Sequence, residues 1–265
     1  MPVGAALLAA VLTGLATVLG AVPFVFMREL PRRLYDGILG LGAGLMLAAA
    51  TLGLLGEALR DLRADGALDV ARLLWILLGF GGGVGLAAVM DRLIPHHHAG
   101  GHHQHLGHEP GHDVHDREAR RGYAIVGALS LHRIPEGLAI GAGFAMTGPS
   151  HLGLLLAIAV GLQNICEGIV MAAPLRAGGV SPLRGLLVVA LTGLATPAAT
   201  LVGLWAADIT SRSMPFILSL AAGTLIYITS NEIIPESHSH GHEGTASSGV
   251  ALGFMFTLAL RAILG

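Results

Sequence analysis

The stretch LGLLLAIAVGLQNICEGIVMAAP, Leu152 to Pro174, decides the fold class. Its one charged residue, Glu167, sits in a run otherwise dominated by Leu, Ala, Ile, Val and Gly. A helix needs about 20 mostly apolar residues to cross the hydrocarbon core of a bilayer, because each residue advances the chain by about 1.5 Å. A membrane barrel would show shorter segments of alternating polarity instead. A helix also satisfies its own backbone hydrogen bonds, which lipid demands of any spanning segment.

Outward from this stretch the pattern repeats. The spans are read as Val3 to Phe26, Gly37 to Leu55, Leu73 to Met90, Tyr123 to Met146, Leu152 to Pro174, Leu186 to Ala206, Met214 to Ile234 and Ser248 to Leu264. The chain is 53% hydrophobic and 12% charged, with mean hydropathy +0.71, far more apolar than a soluble core of this size could bury. An all-α membrane protein follows: an eight-transmembrane-helix bundle forming one domain over residues 1–265, with the lipid bilayer as its surroundings and no nucleic-acid partner. The first run is followed, not preceded, by its basic cluster Arg28, Arg32 and Arg33, so it is read as a retained span and not a cleaved signal peptide. With a single cysteine, Cys166, no internal disulfide framework exists.

All 15 basic residues are arginine, and all but one lie at or near the ends of apolar runs. Arg28, Arg32, Arg33, Arg92, Arg117, Arg120, Arg121, Arg176 and Arg184 fall on one side of the predicted bundle; Arg60, Arg63, Arg72, Arg212 and Arg261 fall on the other. The richer side is read as cytoplasmic. Both termini then lie outside, in what is expected to be a bacterial inner membrane. Glycine is abundant, as at Gly40, Gly42, Gly44 and Gly81, Gly82, Gly83, which predicts close helix crossings without assigning any one glycine a role.

The joint after span three differs in kind. Residues 96–121 form a predicted cytoplasmic loop rich in histidine, with His96, His97, His98, His102, His103, His105, His108, His112 and His115 among Glu109, Asp113 and Asp116. That composition predicts disorder without metal and loose binding of several ions, since neutral imidazole is a common metal ligand. A smaller cluster, His238, His240 and His242, lies between spans seven and eight on the same predicted side.

Polar residues inside spans are costly and mark pathways. They concentrate at Leu131-His132-Arg133-Ile134-Pro135-Glu136-Gly137, at Leu162-Gln163-Asn164-Ile165-Cys166-Glu167-Gly168, and at Ser230-Asn231-Glu232-Ile233-Ile234-Pro235-Glu236. In the first two, a polar residue and a glutamate stand four apart, some 40° from each other on one helix face. His132 and Glu136 from span four and Gln163 and Glu167 from span five would therefore form a cage of nitrogen and oxygen donors, which suits Zn²⁺ and its neighbours. Pro135 removes a backbone donor and can kink span four beside this site.

With these motifs in view, the chain resembles the ZIP family of zinc and iron transporters over essentially its whole length, and most nearly the bacterial and GufA-like branch. The resemblance rests on His132, Pro135, Glu136 and Gly137, which match a His-Asn-x-Pro-Glu-Gly motif, and on Gln163, Glu167 and Gly168 in span five. It implies a binuclear centre, with one ion at His132, Glu136, Gln163 and Glu167. The second ion would use the positions of Arg133, Asn164 and Glu232, and Met46 would touch the first. Arg133 departs from the family pattern, because a guanidinium is always charged and only donates. The expectation is that Arg133, with Glu136 as its partner three residues on, substitutes for the second cation.

The function expected is transport of a divalent transition metal, zinc first and Fe²⁺, Mn²⁺, Co²⁺ or Cd²⁺ on the same ligands, by alternating access. Import toward the cytoplasm is what the resemblance implies. Two alternatives remain: a metal-responsive receptor whose path Arg133 blocks, and a membrane-embedded metalloenzyme, against which stands the absence of a His-Glu-x-x-His motif. Physiological metal, energy coupling and assembly, a homodimer included, stay open.

Overall fold

The computed structural model describes residues 3–60, 62–64, 67–93, 113–146, 151–209 and 214–264. Twelve helical segments follow in order among them: α1 (Val3–Ala21), α2 (Pro23–Phe26), α3 (Arg32–Ala48), α4 (Gly56–Ala58), α5 (Val70–Leu93), α6 (Asp113–Ala145), α7 (Leu152–Ala177), α8 (Pro182–Thr192), α9 (Ala195–Ile209), α10 (Met214–Ile228), α11 (Ile234–Ser237) and α12 (Glu243–Leu264). A π-helical stretch, Ala49–Leu55, joins α3 to α4, and another, Thr229–Ile233, joins α10 to α11. The sheet content of the described residues is one hairpin of two-residue strands, Arg63–Ala64 against Ala67–Leu68, in the connection before α5. Seven helices or merged helices among them are long and apolar enough to cross a membrane, at Val3–Phe26, Arg32–Ala58, Val70–Arg92, Leu152–Ala177, Pro182–Ala206, Met214–Ser237 and Glu243–Leu264.

Large apolar side chains such as Leu8, Leu187, Trp205 and Met255 face outward, while the interior is filled by Ala, Leu, Ile and Met together with many small polar groups. Helices in lipid gain little from burying oil against oil, so they associate by backbone approach. That logic pairs α1 with α7, α6 with α7 and α9, α3 with α12, and α5 with α10. At the α1–α7 crossing a Cβ on Gly168 would collide with the carbonyl oxygen of Thr17, and one on Gly20 with that of Ile165. Gly20 and Gly168 are thus the contact surfaces of this pair.

Three elements differ from the sequence expectation, two of them where a proline withholds a backbone donor. The sixth span breaks at Gly193 and Leu194 between α8 and α9, because Pro197 has no N–H for the Gly193 carbonyl. The seventh widens into its π turn six residues before Pro235, whose ring likewise withholds a donor from Asn231. Helix α6 begins at Asp113, ten residues before the span expected from Tyr123, so the last part of the stretch read as histidine-rich loop is helical. Asp113–Arg117 and Asp116–Arg120 are spaced four apart there, and acidic residues suit a helix start. His96 to His112 fall outside the described residues, and His115 is described only as a backbone position on α6.

Candidate metal centre

Helices α6 and α7 bring six polar side chains into the interior. His132, Arg133 and Glu136 come from α6, and Gln163, Asn164 and Glu167 from α7; all are buried, with Arg133, Glu136 and Asn164 at 0% exposure. On α7 the i, i+4 spacing turns Gln163 and Glu167 together toward Glu136, whereas on α6 it does not bring His132 to the same point. The Gln163 Nε2 donates to Glu136 Oε1 at 2.5 Å and to Glu167 Oε1 at 2.8 Å, so one amide bridges two carboxylates. Pro135 lies inside α6 one residue before Glu136 and strips the Leu131 carbonyl of its helical donor beside the site.

Arg133 corrects one expectation. Its Nη2 donates to Glu167 Oε2 at 3.1 Å, across the helix boundary, and the ion pair is with Glu167 of α7, not with Glu136 on its own helix. Both oxygens of Glu167 are therefore engaged. Glu136 Oε2, Arg133 Nε and Nη1, Asn164 Oδ1 and His132 Nδ1 have no hydrogen-bond partner among the described residues. Unmade bonds on buried groups cost about 1–3 kcal/mol each, so their concentration here marks a place built for something besides packing.

The remaining expected residues sit around this network. His132 turns toward Glu232, with Nε2 3.6 Å from Glu232 Oε1 in the π turn after α10. Asn164 donates through Nδ2 to the Thr13 carbonyl of α1 at 2.9 Å. The Met46 sulfur lies 3.5 Å from the Thr229 hydroxyl. Met46, Gln163, Cys166 and Glu167 line a cavity of about 20 Å³, the volume of roughly one water. Glu136, Gln163 and Glu167 thus meet directly, while His132 pairs away from them; no three His, Cys, Asp or Glu side chains converge as a ready cage among the described residues.

The sequence profile described as ZIP zinc transporter matches residues 3–261. The chain belongs to the ZIP family. The zinc transporter GufA of Myxococcus xanthus is 36% identical over 99% of this chain and 100% of its own length. The zinc transporter ZIPB of Bordetella bronchiseptica is 37% identical, over 94% of this chain and 78% of the relative. The zinc transporter ZupT of Corynebacterium aurimucosum is 31% identical over 91% and 90%. Membership in a transporter family answers the metalloenzyme alternative: this ZIP chain is not an enzyme.

One feature of this ZIP protein escaped the sequence reading. Asp36, on α3 and 0% exposed, holds His240 Nδ1 on Oδ1 at 2.8 Å and His242 Nδ1 on Oδ2 at 3.2 Å. A carboxylate only accepts, so both imidazoles donate to it. His238 is engaged as well, with Ser247 Oγ at 3.0 Å from its Nε2. The connection between α11 and α12 is therefore tied to α3 and is no solvated linker. Asp36 borders the apolar run that begins at Gly37, and an acidic residue at that edge was the available signal.

Proposed function

We propose that this ZIP protein carries a divalent transition metal, zinc first, across the membrane toward the cytoplasm through a site between α6 and α7. Fe²⁺, Mn²⁺, Co²⁺ and Cd²⁺ fit the same nitrogen and oxygen donors. The observation that carries the reading is the buried pair Glu136 and Glu167 joined through Gln163, two carboxylates and an amide at the contact of two membrane helices. A cation reaching them would take over the contacts now made by the Gln163 amide hydrogens, and the amide turned over would offer its oxygen. His132 joins by swinging from Glu232. Named zinc transporters among its relatives support the choice of metal.

Helix α6 serves as the eighth span, its apolar second half flanked by the basic cluster at its start. The arginine-rich side is cytoplasmic, both termini are outside, and the histidine-rich segment acts as a metal-binding cytoplasmic loop. Alternating access has a basis in the packing: α1, α6, α7, α8 and α9 contact one another as one group, against which α3, α12, α5 and α10 form the other. Sliding of one group on the other would open the site to each side in turn. Arg133 stands in for a second cation, holding the charge of Glu167.

Zinc flux into proteoliposomes tests the reading. Saturable flux in the unaltered chain, lost in Glu167→Ala, is expected. The Arg133–Glu167 ion pair favours a second reading, a metal-responsive receptor with a closed path. Flux absent from the unaltered chain but present in Arg133→Asn would carry that reading instead.

A further inference from the structure

The edge of the bundle at the start of α3 holds a cleft of about 550 Å³ that plays no part in the metal site. Its walls carry Arg28, Glu29, Arg32 and Tyr35 on one side, Pro174 of α7 on another, and His240. The volume is that of a small-molecule site. Arg28, Glu29 and Arg32 are exposed, and none of their side chains has a hydrogen bond or ion pair among the described residues. Nearby Arg176 shows the contrast: its Nε donates to the Phe24 carbonyl at 2.8 Å and its Nη1 to the Val180 carbonyl at 2.8 Å. His240 is fixed in the wall by Asp36 and by the edge-on ring of Tyr35 at 5.7 Å.

The surface beside the cleft is apolar and unpacked. Phe26 is 85% exposed, with Met27 and Leu34 also open, at the end of a helix long enough to cross the bilayer. Charged groups at such an end meet lipid headgroups, and basic pockets between spans hold them. Two guanidiniums match the oxygens of a phosphodiester. The carboxylate of Glu29 calls for a cation in the same ligand, close to the phosphate.

We infer that this cleft binds the headgroup of a bilayer phospholipid carrying both a phosphodiester and a primary ammonium, as in phosphatidylethanolamine. Arg28 and Arg32 take the phosphate, Glu29 takes the ammonium, and the acyl chains run along Phe26, Met27 and Leu34. A glycerol headgroup leaves Glu29 without a counterion beside a phosphate. A trimethylammonium headgroup supplies charge but no N–H for the carboxylate. The occupied cleft would touch α3 on one side and α6 and α7 on the other, since Ile125 and Ala173 also line it.

Native mass spectrometry of the full-length protein, extracted from vesicles of equimolar phosphatidylethanolamine, phosphatidylglycerol and phosphatidylcholine, tests this. The unaltered chain is expected to retain phosphatidylethanolamine about tenfold over phosphatidylcholine, the ratio one charge-assisted hydrogen bond supports. Arg28→Ala combined with Arg32→Ala should remove that retention. Glu29→Gln should keep phospholipid bound but erase the preference for ethanolamine over glycerol. Equal retention of the three lipids by the unaltered chain overturns the inference, as does a preference unchanged in Glu29→Gln. Soluble O-phosphoethanolamine is expected not to bind; binding as tight as the lipid's would make a free phosphomonoester the occupant and refute the lipid. Retention is read without flux, so its failure leaves the transport proposal untouched, and loss of flux leaves the lipid result standing.

Discussion

Arg133 places a permanent charge at 0% exposure in the interior of a membrane protein, next to two carboxylates. Breaking a buried pair by removing one partner costs about 3–5 kcal/mol, because the other charge stays behind unpaired. Arg133→Met should therefore lower the melting temperature of the metal-free protein in detergent, read from intrinsic fluorescence. Zinc binding to the folded state raises stability by mass action. If Arg133 substitutes for a cation, added zinc should raise the melting temperature of Arg133→Met by more than it raises that of the unaltered chain. Equal increments would remove the substitution idea. The candidate donors were legible at this scale because spacing along one helix fixes which side chains share a face. Their partners were not: Glu136 and Glu167 are both within plausible reach of Arg133, and only the docking of α7 on α6 selects Glu167.

At the scale of elements, seven of the expected spans were legible because lipid requires an apolar residue at nearly every position for about 20 residues, a demand no neighbouring segment can override. The π turns and the break at Gly193 were hidden for the opposite reason. Pro197 and Pro235 show that a carbonyl loses its donor, but whether the helix then breaks, kinks or widens is settled by what packs against it. The glycine contacts make a paired prediction. Gly168→Leu pushes a side chain into the Thr17 backbone, which has no rotamer to yield, and should cost more than the 1–3 kcal/mol typical of overpacking, about 3 or above. Gly161→Ala on the same helix has open space around its Cβ and should gain about 0.5–1 kcal/mol from helix propensity. Melting temperatures of the two variants falling together would mean that α1 and α7 do not meet as described. Asp36 belongs to this scale too, since it fastens one connection to one helix. Asp36→Ala should raise hydrogen exchange across residues 238–243 while leaving α5 unchanged; equal protection in both proteins would show that the two imidazole contacts do not hold the segment.

Across the whole molecule, the proposed site between α6 and α7 would have its charge balanced both with and without cargo. Glu136 and Glu167 carry two negative charges when ionised, Arg133 returns one positive charge, and a divalent ion returns two. With Glu232, which faces His132, also ionised, one bound Zn²⁺ with Arg133 gives a total of about 0, whereas two would give about +2 in surroundings of low polarity, where like charges repel strongly. This balance predicts one tightly held zinc per chain in the membrane domain. The count must exclude the histidine clusters, and the structure dictates how. Residues 96–112 can be replaced by a short linker and His115 by asparagine, but His238, His240 and His242 cannot be deleted, because they anchor a connection to Asp36 and Ser247. Asparagine at the three positions keeps a donor for Asp36 while removing the imidazoles. Elemental analysis of that protein after dialysis should return one zinc per chain, rising toward two when Arg133→Asp replaces the fixed cation with a ligand. Two ions held before that change would mean that the guanidinium stands aside for a second metal, and that Glu232 and Asn164 suffice to bind it without Arg133's position.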